Sequence, residues 1–318
     1  MLEAMSLHMQ SRREVFERRI SGGKTVFGRK KKEIAPMHFE APQVASMPPV
    51  ERRVPELETL VRSATGNRQY QQDAAFITPG RVLAANKRTR VLAVVCDGMG
   101  GMADGGKASQ TAIQALVNGF QKIEKDPNVS IPGFFRQAIV AIDKIIYNFP
   151  KENGKGSGTT MVACIAEDNK VYWASVGDSR IYILRGNQIQ QVTRDHNYWL
   201  KLQEKVAAGE MTMEEARSKK QKEALISFLG MGNVSLMDIN TVPFEMQFGD
   251  VIMLCSDGIT KTLSDDRIRQ ILTADAVKPE QKAEALVEAA THTNSHSQDN
   301  TTVALIHYHN KDIKKIQR

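Results

Sequence analysis

The sequence predicts an α+β fold in which packed antiparallel sheets are flanked by helices. Its short β-branched runs follow one another in groups instead of alternating singly with helices. One segment, RIYILRGNQIQQVT, sets a Gly-Asn turn between two extended pieces, as an antiparallel hairpin does. Helical periodicity is confined to a few separate stretches between the strand groups.

In chain order, residues 1–55 read as a flexible basic leader: they hold the pair Gly22 and Gly23, the run Arg29 to Lys32, and Pro36, Pro42, Pro48, Pro49 and Pro55. From residue 56 to 318 the texture is that of a folded domain. Strands are predicted at 91–96, 159–166, 170–176, 180–184, 251–255 and 301–308, and helices at 108–123, 133–147 and 282–291. Residues 197–232 interrupt the strands with a charged, helical insertion that reads as a flap; its Lys201, Lys205, Lys219, Lys220 and Lys222 suit either an acidic partner or plain solvation.

With 318 residues and 41% apolar composition, the chain has ample material for a buried core. The net charge of +7 is uneven, because residues 1–55 hold eleven Lys/Arg against six Asp/Glu and so carry five of the seven charges. A basic tail on a near-neutral body argues against a nucleic-acid partner. No apolar run is long enough for a transmembrane segment and no secretory signal is visible, which predicts a soluble, cytoplasmic monomer. Cys96, Cys164 and Cys255 each lie in a strand-like run, with spacing that fits neither zinc nor disulfides, so buried reduced thiols are expected.

The informative residues are aspartates at strand margins. Asp97 in VVCDGMGG, Asp178 in ASVGDSR and Asp257 in MLCSDGI each follow an apolar strand; Asp299 in SQDNTTVAL precedes one, and Asp73 in NRQYQQDAAF is a fifth. One Asp-Gly pair is an ordinary turn. Several carboxylates converging from different strands repel one another unless a cation offsets them, and hard oxygen ligands suit magnesium or manganese. Gly98 could add its carbonyl where a side chain would be in the way.

The order and wording of these motifs resemble the metal-dependent protein phosphatases of the 2C type, especially compact bacterial members. Arg68 with Gln72 and Asp73, DGMGGMADGGKAS, GSGTT, VGDSR, VTRDHN, CSDGI and QDNTTV carry the likeness from about Thr65 to Tyr308. The resemblance implies a four-layer α/β/β/α sandwich with the metal centre in a cleft at one end. Asp73, Asp97, Gly98 through its carbonyl, Asp257 and Asp299 would hold two Mn2+ or Mg2+ ions. Asp178 would join Asp257 at a third, weaker ion, and Arg68 would grip the substrate phosphate with its planar fork.

The implied activity is hydrolysis of phosphoserine and phosphothreonine on proteins, opposite a serine/threonine kinase, by a water activated between two cations. Alternatives are an inactive phosphoprotein-binding module of the same fold, or a phosphomonoesterase for small molecules. Two departures stand out. Gln72 replaces a frequent glutamate, and Met99 and Met102 stand where relatives often have histidine, so no histidine acid is assigned. Neither a Cys-x5-Arg loop nor dinucleotide or P-loop glycine spacing is present. His196 reads as structural, and the irregular spacing of His292, His296, His307 and His309 argues against a histidine metal site. In the leader, Val15, Phe16 and Ile20 flanked by Arg12, Arg13, Arg18 and Arg19 suit either a passive tail or docking to an acidic partner or an anionic membrane surface.

Overall fold

A computed structural model of the chain describes residues 53–83, 88–100, 104–151, 156–292 and 298–312. The leader through residue 52 and Met102 therefore lie outside the described residues.

The predicted sandwich is present. One sheet has six strands in the order β3 (Arg81–Val82), β1 (Arg53–Ala64), β13 (Thr301–Asp312), β12 (Val251–Cys255), β8 (Arg180–Arg185) and β9 (Gln188–Gln191). The other has seven: β10 (Asp238–Ile239), β7 (Lys170–Val176), β6 (Met161–Glu167), β4 (Arg90–Met99) and β2 (Asp73–Ile77) in line, with β11 (Phe244–Glu245) paired to β7 and β5 (Gly158–Thr159) to β4. Every pairing is antiparallel.

Period-two alternation in the central strands divides their apolar residues between two layers. Leu92, Val94 and Cys96 of β4 face α1 (Asp104–Ile123) and α2 (Ile131–Tyr147), packing with Ala112, Leu116, Phe120, Phe135 and Ile139. The intervening Val91, Ala93 and Val95 are equally buried, on the face toward the other sheet. Six-stranded-sheet residues Tyr182, Met253, Val303 and Leu305 face the opposite helical layer, α6 (Asp265–Thr273) and α7 (Lys282–Thr291), through Ile268, Leu272, Leu286 and Ala290. Helix starts follow local chemistry: Ser130 caps α2 ahead of Pro132, and Ser264 caps α6 ahead of Asp265 and Asp266.

The flap segment is helical, as its charge pattern predicts, with α3 (Tyr198–Ala207) and α4 (Met213–Ser218). Thr212 and Glu215 form a capping box on α4. The segment rejoins the body where Leu229 and Thr159 exchange backbone hydrogen bonds of 2.8 and 3.0 Å. Lys201, Lys205, Lys219 and Lys220 are exposed, whereas Lys222 is half-buried.

The longest elements that escape the sequence reading are β1, β2 and α6. Pro55 and its two predecessors, grouped by composition with the leader, run in β1 against Asn310 to Asp312. Among the described residues no helix is long and apolar enough to cross a membrane. All three cysteines are free and buried, and burial pushes their thiols up, which keeps them unreactive.

Candidate metal centre

The five predicted aspartates meet at one end of the sandwich, delivered by both sheets. Asp73, first residue of β2, lies directly opposite Asp97 on β4 in the antiparallel register. Asp257 follows β12 as the first residue of the short helix α5 (Asp257–Thr260). Asp178 sits in the turn between β7 and β8, and Asp299 lies two residues before β13.

Their mutual approach is recorded in their acidity. Burial, opposed by hydrogen bonds from Ser256 and Thr302 and reinforced by the charges of Asp257 and Asp299, pushes the Asp73 carboxyl up to about 7. Asp97 is held well above the carboxylate range by burial and then by Asp73, Asp257, Asp178 and Asp299. Burial, Asp257 and Asp195 raise Asp178 to about 7, tempered by Lys261.

The hydrogen bonding leaves specific oxygens vacant. Ser256 Oγ donates to Asp73 Oδ2 at 2.7 Å while it accepts from the Thr302 amide at 3.0 Å, so the serine fixes one side of that carboxylate. Asp73 Oδ1 and Asp257 Oδ1 are buried and have no hydrogen-bond partner among the described residues. A buried carboxylate oxygen without a donor costs free energy, and a divalent cation is the partner these oxygens fit. The surroundings suit the same guest: all five predicted side-chain donors are carboxylates, the hard ligands of Mg2+ and Mn2+.

Backbone approach explains the glycines. A Cβ on Gly98 would lie 2.1 Å from the Gly105 carbonyl oxygen and 2.6 Å from that of Gln72, so only glycine fits there. The Gly98 amide donates to the Gln72 carbonyl at 3.1 Å, tying β4 to the segment that leads from Arg68 into Asp73. The Asp97 amide donates to Thr160 Oγ1 at 3.0 Å, and Thr159 Oγ1 donates to the Asp97 carbonyl at 2.9 Å; these are the roles of the GSGTT threonines.

QDNTTV likewise contains two clamps that its spelling alone does not reveal. Asn300 Nδ2 donates to the carbonyls of Thr65 and Tyr70 at 2.8 and 3.1 Å, and its Oδ1 accepts from the Gln72 amide at 2.7 Å, which shapes the loop carrying Arg68. Gln298 accepts from Thr262 Oγ1 at 3.0 Å and donates to the Gly258 carbonyl at 3.2 Å, holding α5 and with it Asp257.

Two cationic side chains border the cluster. Arg68 is 57% exposed and donates through Nη2 to Asp299 Oδ2 at 2.7 Å. Lys261, one helical turn beyond Asp257, forms an ion pair with Asp257 Oδ2 and feels the charges of Asp178 and Asp299 as well. Sequence reading did not single out Lys261; its i,i+4 spacing from a proposed ligand was the available signal.

His196 is buried and structural. Its Nδ1 accepts from the Gly177 amide at 3.2 Å, and its Nε2 lies 3.2 Å from Asp238 Oδ2, a carboxylate also gripped by Arg194 through both its oxygens. It thereby braces the turn that carries Asp178. Gln72 Nε2 reaches the Gly100 carbonyl at 3.4 Å, and Met99 is half-buried on β4.

The chain is similar to known proteins over most of its length. The protein phosphatase 2C family description matches residues 62–302. Protein phosphatase PhpP of Streptococcus pneumoniae is 32% identical over 230 residues, 72% of this chain and 90% of that protein. The Mycobacterium tuberculosis serine/threonine phosphatase PstP/Ppp superposes with a TM-score of 0.65 at 29% identity, covering 80% of this chain and 99% of the other. A structure of the PstP catalytic domain in complex with two manganese ions gives 0.63 at 28% identity, with coverage of 80% and 99%.

Proposed function

Because the chain belongs to the protein phosphatase 2C family, we propose that its strand-end carboxylates are the ligands of a divalent-metal centre that hydrolyses phosphoserine and phosphothreonine. The chain is a metal-dependent serine/threonine protein phosphatase, and its substrates are phosphoproteins. The residue roles are our reading. Asp73, Asp97, Asp257, Asp299 and the Gly98 carbonyl hold two ions, manganese or magnesium, and Asp178 shares a third with Asp257.

The observation that carries this reading is the pair of buried, unpartnered oxygens, Asp73 Oδ1 and Asp257 Oδ1, inside a group of mutually repelling carboxylates. Bound divalent cations supply a water made acidic enough to attack phosphorus near neutral pH, together with positive charge for the phosphoryl oxygens. The remaining work falls to the chain. Ser256 aims the Asp73 carboxylate, Thr160 fixes the backbone of Asp97, and Gln298 holds the helix that presents Asp257.

Arg68 binds the substrate phosphate. Its exposed guanidinium can exchange Asp299 for two phosphate oxygens, so engagement of substrate also frees Asp299 Oδ2. Asn300 keeps the Arg68 loop against the cluster during that exchange. The helical flap at 197–232 presents exposed lysines to the phosphoprotein, and an opposing serine/threonine kinase supplies the modified substrate.

The test is hydrolysis of a phosphothreonine peptide after chelation and after return of manganese or magnesium. Activity should vanish and then recover, with Arg68→Ala raising KM about 10-fold or more while leaving metal stoichiometry unchanged. Full activity in excess chelator would falsify the reading.

A further inference from the structure

The geometry points to a second metal site, distinct from the carboxylate centre: a transition-metal site on the six-stranded sheet formed by Glu58, His307 and His309, of a kind suited to Zn2+. The irregular spacing of the late histidines argued against such a site because linear spacing cannot show a partner on another strand. In the antiparallel register of β1 and β13, Glu58 lies opposite His307 and Glu56 opposite His309. Residues two apart on a strand share a face. Continuing along that face, Leu60 opposite Leu305 enters the core beneath α7, so the four polar residues form its outer end.

The ligand atoms are already close to coordination spacing. Glu58 Oε2 lies 3.5 Å from His307 Nδ1 and 3.8 Å from His309 Nε2, and Glu56 Oε2 is 3.8 Å from the same Nε2. Donors about 2.0–2.1 Å from a tetrahedral zinc ion are roughly 3.4 Å from one another, and the ligand atoms of Glu58, His307 and His309 all lie within 4.8 Å of one another, so closure onto an ion needs side-chain shifts of up to about an ångström.

The placement of His309 is an independent pointer. Its Nδ1 lies 3.2 Å from the Asn310 carbonyl, which can only accept, so Nδ1 is the donor of that contact and Nε2 is the ring nitrogen turned toward the carboxylates. That Nε2 is buried and without a hydrogen-bond partner among the described residues. A backbone carbonyl fixing one ring nitrogen so that the other can coordinate is a recurring arrangement in histidine metal sites.

Charge balance favours the same conclusion. The two imidazoles stack with centroids 4.8 Å apart, a poor arrangement for two protonated rings. Lys282, at the start of α7, is a nearby cation whose charge acts on both Glu58 and His307. A divalent ion accepting the two imidazoles and the Glu58 carboxylate would satisfy the orphaned His309 nitrogen. It would also join the first described strand to the last.

The experiment is zinc titration of protein whose carboxylate centre has been saturated with manganese, followed by native mass spectrometry and calorimetry. One zinc per chain should bind without displacing manganese. His309→Gln and Glu58→Gln should each lose that zinc while retaining manganese-dependent phosphatase activity, and Asp257→Asn should keep it. Cobalt in place of zinc should give the intense visible absorption of a low-coordinate nitrogen-ligated ion, abolished in His307→Gln. Equal zinc stoichiometry in wild type, His309→Gln and Glu58→Gln would overturn the site, as would zinc uptake only at the expense of manganese. Because Asp257→Asn disables only the carboxylate centre, failure of the zinc site and failure of the phosphatase assignment are read separately.

Discussion

Two buried aspartates, Asp143 and Asp73, show how differently this protein treats a carboxylate. Asp143 lies on α2, 2% exposed, and is fully served: its Oδ1 accepts from the amides of Gly230 and Gly232 at 2.8 and 3.1 Å, and its Oδ2 from that of Val234 at 3.1 Å. Asp73 is buried to a similar degree, yet Ser256 holds one oxygen and the other is left without a hydrogen-bond partner among the described residues. The first is a structural clamp that pins the end of the flap to the helical layer. The second retains an unmet demand, which among the buried carboxylate oxygens of the described residues only Asp257 shares. Asp250, for comparison, is buried elsewhere and receives Arg185 through two bonds of 2.9 and 2.6 Å and the Gln247 amide at 2.8 Å. Burial of charge alone therefore does not mark function here; carboxylate oxygens buried without a partner among other carboxylates set this cluster apart.

The contrast breaks most sharply on Asp97→Asn. If Asp97 is the ligand proposed above, its loss should lower kcat by more than about 100-fold, beyond what outer partners of a metal site usually contribute. The same substitution removes repulsion from Asp73, Asp257, Asp178 and Asp299, so the chelated variant should melt above chelated wild type. Falling activity with rising metal-free stability is the signature of a functional carboxylate. A drop in both would class Asp97 with Asp143.

Next in size is the pH response of the chelated protein. Asp73 and Asp178 are each raised from the ordinary 3.8 to about 7. The folded state then binds more protons than the unfolded state between those values, so stability should fall as pH rises from about 4 to about 7 and flatten above, by several kcal/mol in order of magnitude. Manganese should abolish or reverse the slope. Denaturant melts at pH 5 and pH 8, with and without metal, measure it; equal stability at both in chelator would remove repulsion as the site's defining property.

Asp143→Ala tests the other side. Three backbone donors lose their acceptor, which should cost about 3 kcal/mol by denaturant titration, whereas activity per folded, manganese-loaded molecule should stay within a few-fold of wild type. An effect on turnover as large as that of Asp97→Asn would mean that the clamp shapes the centre as well as the flap.

Much of this was legible in the sequence, for identifiable reasons. Strands such as VIMLC and KVYWASV are buried on one or both faces, so their apolar runs are unbroken and their limits read correctly. The aspartates were visible because Asp97, Asp178 and Asp257 stand where an apolar run stops and Asp299 where one is about to start. β1 was missed because its Glu56 and Glu58 sit at an outer sheet end among prolines and arginines, and β2 because Asp73 and the small Ala74 and Ala75 dilute its β signal. What no linear reading supplies is pairing between distant segments. Ser256 on Asp73, Asn300 on Thr65 and Tyr70, and His309 beside Glu58 join residues more than 180 positions apart.

Lys261 gives the smallest and most discriminating effect. Its ammonium pairs with Asp257 Oδ2 and tempers the charge on Asp178, so it occupies the electrostatic niche proposed for the third cation. Any ion shared by Asp178 and Asp257 must first move that lysine aside, which weakens the site in proportion to the pairing lost. Lys261→Ala should therefore tighten the weakest metal-binding step several-fold in calorimetry while leaving the two tight steps close to wild type. The side chain is 54% exposed, so solvent screens the pair and a larger change is not expected. Turnover at low manganese should rise, and Asp178→Asn in the same background should erase the gain. If Lys261→Ala left the weak step unchanged, the lysine would be an ordinary surface partner of Asp257; if it loosened the two tight steps instead, Lys261 would be positioning Asp257 for the main pair of ions.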